Sequence, residues 1–189
     1  VHVLSAAGDH ITSPLPGAGT ANPYCDSEPA AAADDSENAR SVGVLITYGK
    51  FRFLDLGDLT KKKELELACP NNLLGTVDLF LVTHHGADLS NPKALDWALH
   101  PRVAVIDNGP RKGASPAAWQ IVHDSPGLED LWQLHYAEES DKAHNVPDDR
   151  IANVKENCEG KFLKVVAQSD GTFTVTNGRT GEQKTYAKK

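Results

Sequence analysis

Two places in the sequence combine a glycine with side chains that bind metals or transfer protons. Gly57-Asp58 follows the apolar run 51–56, and His84-His85-Gly86 follows the apolar run 77–83. Glycine permits a sharp turn at a strand end, so that the neighbouring side chain projects into whatever cleft lies there. A carboxylate and imidazoles delivered from neighbouring strand ends are the donors that a hydrolytic metal centre uses. Asp58, His84 and His85 are therefore candidate metal ligands, and Asp58 and His84 candidate catalytic residues.

Each of these side chains also has a purely structural interpretation. Asp58 could cap the helix that begins near Thr60, since Asp is a favoured capping residue. His84 and His85 could be hydrogen-bonded core residues, because a buried neutral ring has one donor and one acceptor to satisfy. Adjacent residues of a strand point to opposite faces, which predicts that one of the two histidines faces a metal. The histidine doublet with Gly86, one structural unit after Gly57-Asp58, favours the ligand interpretation.

A third candidate region is the loop 108–113, which follows the buried strand Val103–Asp107. Ligands bind α/β folds at such strand ends. Lys112 or Arg111 could hold an anionic substrate group, and Lys112 and Asn108 are the candidate substrate-binding residues. The alternative is an exposed basic loop. His135 is interpreted as a packed or hydrogen-bonded histidine.

The elements that must position these residues alternate between strand and helix, which predicts an α/β fold. A hairpin is expected at 42–56, and a second one, marked by Asp170-Gly171, at 162–176. Between them we expect helices at 61–68, 91–100 and 115–123, and strands at 77–83, 103–107 and 128–136. Residues 1–189 form a single domain or the C-terminal portion of one. Its parts are a long polar loop or flap at 13–37, core β/α units at 38–136, a loop at 137–160, and a terminal hairpin and tail at 161–189.

Charge and hydropathy exclude some classes of partner. The net charge is −7 and the one cluster of basic residues is Lys61-Lys62-Lys63, so tight nucleic-acid binding is disfavoured. No run of about 18 apolar residues is present, so no membrane span is expected. The chain begins at Val1 and contains no Met, which suggests a processed product or a fragment.

The three cysteines are too far apart for a zinc knuckle or a Cys-x-x-Cys redox motif. Cys69 is expected on the apolar face of a helix, in the core. Cys25 and Cys158 lie in loop-like sequence, so they could form a disulfide in an oxidising compartment. Three free thiols are the alternative.

From Asn38 to about Asn108 the chain resembles the second half of a metallo-β-lactamase-fold hydrolase. The resemblance is nearest to the hydrolase domain of DNA-uptake competence proteins. It is carried by Asn38 and Ser41, by Gly57-Asp58, by Glu64 in a helix, and by His84-His85-Gly86 with Ser90 beyond. The resemblance implies αββα layers and a site with two ions, usually zinc, although manganese or iron would also serve. It implies that Asp58 bridges the ions and that His84, or else His85, completes the second site.

The resemblance also implies a reaction: a metal-bound hydroxide attacks an ester or phosphodiester, and the substrate is a small molecule or phosphodiester. The family's His-x-His-x-Asp-His motif is absent from these 189 residues. The chain is therefore expected to be the C-terminal portion, with the N-terminal half of the same fold missing. The alternative is a catalytically inactive, secreted binding module that keeps the fold and uses the loops at 13–37 and 137–158. An extracytoplasmic location, periplasmic or secreted, is favoured.

Overall fold

The structure, a computed structural model, describes residues 1–29 and 31–188. Ala30, in the predicted loop at 13–37, and Lys189, at the end of the predicted tail, lie outside the described residues. Eleven strands and three helices are present in the described part: β1 His2–Ala6, β2 Asp9–His10, β3 Gly43–Tyr48, β4 Phe51–Asp55, α1 Lys61–Ala68, β5 Leu79–Leu81, α2 Lys93–Leu99, β6 Val103–Ile106, α3 Pro116–His123, β7 Asp130–His135, β8 Ile151–Asn153, β9 Leu163–Ala167, β10 Phe173–Asn177 and β11 Gln183–Tyr186.

The fold is mixed α/β around one large sheet. Strands β1 to β8 form that sheet in the order β2-β1-β3-β4-β5-β6-β7-β8, and β9 to β11 form a second sheet in the order β11-β10-β9. Pairing is antiparallel from β2 to β4 and parallel from β4 to β8. The parallel strands therefore all end at the same edge.

Alternation along the strands divides the core into two layers. Leu54, Phe80 and Ile106 face the helices, where they pack against Leu67 and Leu95. The intervening residues Phe51, Leu79, Val103 and Trp132 face the small sheet and pack against Phe173, Val175 and Tyr186. A strand buried on both faces is expected to be apolar throughout, which explains the uninterrupted run in β5.

The predicted elements largely occur, with three corrections. The first hairpin is confirmed, with Tyr48 paired to Phe51, and α1 has the predicted bounds. The strand expected at 77–83 is shorter, because β5 ends at Leu81. The loop at 137–160 contains strand β8, which extends the parallel sheet. The predicted tail contains strand β11, which pairs with β10 and makes the terminal hairpin a three-stranded sheet.

The predicted loop at 13–37 is anchored rather than free. Asn22 is buried, and its side-chain amide donates to the carbonyl oxygens of Ala68 at 2.9 Å and Ala94 at 2.8 Å. These bonds hold the loop against the C-terminal end of α1, which places Cys25 beside Cys69. The two cysteines form a disulfide with a Cα–Cα distance of 5.8 Å, whereas Cys158 is free and exposed. The predicted Cys25–Cys158 pairing is therefore wrong, and so is a free core thiol at Cys69.

Among the described residues, no helix has the length and hydropathy needed to cross a membrane.

Candidate functional site

A polar cleft of about 200 Å³ lies at the edge where β4, β5 and β6 end. It is lined by residues from three strand ends: Asp55, Gly57, Asp58, Leu81, Val82, His84, His85 and Asp107. The carboxyl ends of parallel strands are where open α/β sheets place their sites. All three candidate metal ligands from the sequence thus reach one cleft.

Two turns bring Asp58 and the histidines together. Gly57 has a φ of +57°, and its backbone N–H donates to the Asp55 carboxylate at 2.9 Å. Its carbonyl accepts the backbone N–H of His84, also at 2.9 Å. The turn after β4 is therefore hydrogen-bonded directly to the turn after β5.

The histidine turn has an unusual backbone. His84 and His85 have φ values of +54° and +56°, and Gly86 has +74°. A left-handed conformation costs about 1–2 kcal/mol for each non-glycine residue, and such strain is concentrated at functional sites. The prediction that only one histidine would face the cleft assumed a continuing strand. Because β5 has already ended, the chain coils left-handedly and both rings line the cleft.

The segment 113–115 supports this turn from one side. Ala114 N–H donates to the His85 carbonyl at 2.8 Å, and Ser115 N–H donates to the Gly86 carbonyl at 2.9 Å. Gly113 lies so close that a Cβ there would meet the His85 Cβ at 2.7 Å and its carbonyl oxygen at a shorter distance. The position of His85 therefore depends on a glycine at 113.

Asn91 holds the two ends of the same turn. Its side-chain amide donates to the carbonyls of Thr83 at 3.0 Å and Ala87 at 3.2 Å. Its own N–H donates to the buried Glu64 carboxyl at 2.8 Å. Burial raises the pKa of Glu64 well above its usual range, and the neighbouring Asp96 raises it further. The buried position of Glu64 beneath the turn therefore favours its neutral form.

His85 lies between two carboxylates. Its Nε2 is 3.4 Å from Asp58 Oδ1, and its Nδ1 is 3.1 Å from Asp107 Oδ1. Asp107 was not among the residues predicted for the site. It follows β6 as Asp58 follows β4, so its place at a strand end was a signal that could have identified it.

His84 occupies a more enclosed position, with 8% of its surface exposed. Its Nδ1 is 3.1 Å from Ser90 Oγ, and its Nε2 is 3.3 Å from Asn38 Nδ2. Burial lowers the pKa of His84, and Asp58 opposes the change, whereas His85 and Lys112 lower the pKa further. The ring is therefore neutral at pH 7 and carries one nitrogen lone pair.

Asp58 is not the capping residue of helix α1. Helix α1 begins at Lys61 with Thr60 at the N-cap position. Asp58 instead contacts His85, and about a third of its side chain is exposed to the cleft.

The candidate substrate-binding residues differ in their freedom to bind. Asn108 is 1% exposed, and its amide donates to the carbonyls of His135 and Gly109 at 2.9 and 3.0 Å. The bond to His135 joins the end of β6 to β7, so Asn108 positions the loop and does not line the cleft. Lys112 is exposed and acts electrostatically on His84. Arg111 is paired with Glu156 at 2.8 Å.

The donors present fit a metal site only in part. A catalytic zinc takes three protein ligands. Across residues 1–29 and 31–188, no three His, Cys, Asp or Glu side chains are grouped so as to hold a metal ion. Asp58 and His85 supply a carboxylate and an imidazole at one place, which is an incomplete ligand set.

No family model matches this chain, and no match was found among curated proteins or solved structures.

Proposed function

We propose that this chain is the portion of a metal-dependent hydrolase that presents a carboxylate and an imidazole to a divalent cation. The observation that carries the proposal is the contact between Asp58 and His85 Nε2 at 3.4 Å, with Asp107 behind the ring. Ligating histidines generally donate their other ring N–H to a carboxylate or a carbonyl oxygen. The remaining donors come from residues outside the described chain.

Within this proposal His85 takes precedence over His84 as the ligand that acts with Asp58. Sequence reasoning favoured His84, but the Nε2 of His85 is the imidazole nitrogen in contact with the Asp58 carboxylate. His84 is a second neutral imidazole on the same turn, and it would serve the second ion of a two-metal site only if Asn38 gave up its contact with Nε2.

Asp58 and His85 would hold a divalent cation, zinc or else manganese or iron, which would supply Lewis acidity towards an ester or phosphodiester centre. The chain's own residues arrange the reactants around it. The left-handed turn fixes the two imidazoles, and Asp58 contributes negative charge that attracts a cation. Lys112, which is exposed and acts electrostatically on His84, would attract the anionic group of a substrate. The net charge of −7 favours a small molecule or an isolated phosphodiester over a long nucleic acid.

The layers of the fold are compatible with the proposal. In the proposal the helices, the large sheet and the small sheet would be three layers of an αββα arrangement, and the missing N-terminal half of the same fold would complete it. The Cys25–Cys69 disulfide supports an extracytoplasmic location, because disulfides persist in oxidising compartments.

The proposal is tested by hydrolysis assays on the full-length natural protein. After chelation, the protein is resupplied with Zn²⁺ or Mn²⁺ and offered p-nitrophenyl acetate and bis-p-nitrophenyl phosphate. We expect metal-dependent hydrolysis of at least one probe, and its loss in Asp58→Ala and His85→Ala. Asp124→Ala, at the exposed Asp124–His123 contact, is the matched control and should retain activity. Hydrolysis that is unchanged by chelation, or retained in both site variants, would contradict the proposal.

A second candidate function is a catalytically inactive binding module. It is favoured by the absence of any grouping of three metal donors among the described residues. It predicts that the full-length protein binds no divalent metal and that Asp58→Ala leaves its properties unchanged.

A further inference from the structure

The hydrogen bonds around Ser90 determine which nitrogen of His84 carries the proton. Ser90 is 2% exposed, and its hydroxyl lies 2.7 Å from the Leu59 carbonyl oxygen, which can only accept. A hydroxyl has one proton to donate, and this one is directed to Leu59. The remaining contact of the Ser90 oxygen, at 3.1 Å, is with His84 Nδ1. Ser90 must accept there, so Nδ1 is the protonated nitrogen.

The other side of the His84 ring agrees with this assignment. Nε2 lies 3.3 Å from Asn38 Nδ2, and an amide NH₂ group is a donor. If Nε2 carried the proton, two hydrogen-bond donors would face each other. An unprotonated Nε2 instead accepts a hydrogen bond from the Asn38 amide. The Nε2 of His84 therefore presents a lone pair on the side of Asn38.

A carboxylate has the same effect on His85. Asp107 Oδ1 lies 3.1 Å from Nδ1, and an ionised carboxylate can only accept. Nδ1 of His85 therefore carries a proton, and Nε2 faces Asp58. The rings of His84 and His85 thus have different acceptors at Nδ1. Ser90 comes from the segment after the turn, and Asp107 directly follows β6.

We infer that Ser90 and Asp107 are positioning residues that keep Nδ1 of His84 and Nδ1 of His85 protonated. Nε2 of His84 then lies on the side of Asn38, and Nε2 of His85 lies on the side of Asp58. The purpose of this arrangement rests on the proposed function, because an imidazole ligates a metal through an unprotonated nitrogen. The arrangement itself can be tested without any metal.

The first test is two-bond ¹H–¹⁵N correlation NMR of the metal-free full-length protein at neutral pH. We expect a protonated Nδ1 in both histidines. Ser90→Ala should remove that signature from His84 and leave His85 unchanged. Asp107→Leu should remove the signature from His85 and leave His84 unchanged. Asp107→Asn and Ser90→Thr keep an acceptor and should restore the wild-type pattern, which separates positioning from general loss of structure.

A wild-type spectrum with His84 protonated only at Nε2 would overturn the inference, as would a Ser90→Ala spectrum identical to that of the wild type. The variants are compared only after thermal unfolding shows a cooperative transition for each. If Ser90→Ala does not fold, the wild-type spectrum still decides the His84 assignment, and the Asp107 variants decide the His85 assignment.

The second test is Zn²⁺ affinity by calorimetric titration of the same proteins. Loss of an outer-shell partner typically weakens metal binding about 10–100-fold, and we expect this for Ser90→Ala and Asp107→Leu but not for Asp107→Asn. If the wild type binds no Zn²⁺ but the NMR pattern holds, the proposed function fails and the positioning inference stands. If Zn²⁺ binds and the NMR pattern is absent, the positioning inference fails alone.

Discussion

Replacing Gly113 by alanine tests whether the histidine turn is positioned by close backbone packing. Gly113 has a φ of +78°, and its α-carbon faces the backbone of His85. A Cβ would lie 2.7 Å from the His85 Cβ and nearer still to the His85 carbonyl oxygen. Gly181 is a matched control, because its φ is +77° and a Cβ there would meet no atom within 4 Å.

The pair separates backbone strain from steric conflict. At either position alanine must adopt a left-handed conformation, which costs about 1–2 kcal/mol, and this cost cancels in the comparison. The extra atom at 113 forces a rearrangement of the kind that costs about 1–3 kcal/mol in packed interiors. Weakening of the hydrogen bond from Ala114 N–H to the His85 carbonyl adds about 1 kcal/mol. Gly113→Ala should therefore be destabilised by about 2–4 kcal/mol more than Gly181→Ala.

The free energies of unfolding are measured by urea titration at one pH, and Zn²⁺ affinity is measured on the same samples. A domain stable by about 5–15 kcal/mol should remain folded after the change, so that the site can be assayed. We expect the Zn²⁺ affinity to fall in Gly113→Ala and to be unchanged in Gly181→Ala. The reasoning would be refuted if the two variants agreed within about 0.5 kcal/mol, which is the usual scale of a neutral surface substitution.

Two further predictions concern stability outside the cleft. The Cys25–Cys69 disulfide joins residues 44 apart. Replacing both cysteines by serine should lower the free energy of unfolding by about 4 kcal/mol, because the unfolded chain is no longer constrained by a closed loop. A loss below about 1 kcal/mol in urea titrations would contradict this. The raised pKa of Glu64 means that the folded state retains a proton that the unfolded state releases at lower pH. Its contribution to stability is present at acid pH and is lost as the pH rises towards the raised pKa. Glu64→Gln can still accept the hydrogen bond from Asn91 N–H. The free energy of unfolding, measured as a function of pH, should decline less in this variant than in the wild type. An unaltered slope would count against a buried neutral Glu64.

Local patterns were sufficient for the elements that carry the site. The Gly49-Lys50 turn and the alternation around it predicted the first hairpin, because both are short-range signals. The strand-end positions of Asp58, His84 and His85 predicted that they would share a cleft, since parallel strands end at one edge of a sheet. The αL conformation of the two histidines was not predicted, because a non-glycine residue there is favoured by long-range contacts such as Ala114 to His85.

The partners of these residues depended on contacts between distant segments. Asp107 and Ser90 are defined as site residues by their distances to the two histidines, and no spacing rule specifies those distances. The predicted disulfide pairing was wrong because the sequence of 13–37 predicted a long polar loop or flap, and no local pattern indicated that it packs beside Cys69. In the structure the buried Asn22 bonds to residues 46 and 72 positions away, and such contacts follow only from the tertiary fold.

The most direct test of the central claim is the metal content and Zn²⁺ affinity of the full-length natural protein. Elemental analysis of the purified protein is followed by calorimetric titration of the chelated wild type, Asp58→Ala, His85→Ala and the control Asp124→Ala. We predict bound divalent metal in the wild type and in the control. We also predict a loss of affinity in both site variants that exceeds the about 10–100-fold effect of an outer-shell change. A wild type without metal and without Zn²⁺ binding, or site variants that bind Zn²⁺ as the control does, would contradict the assignment of Asp58 and His85 as ligands.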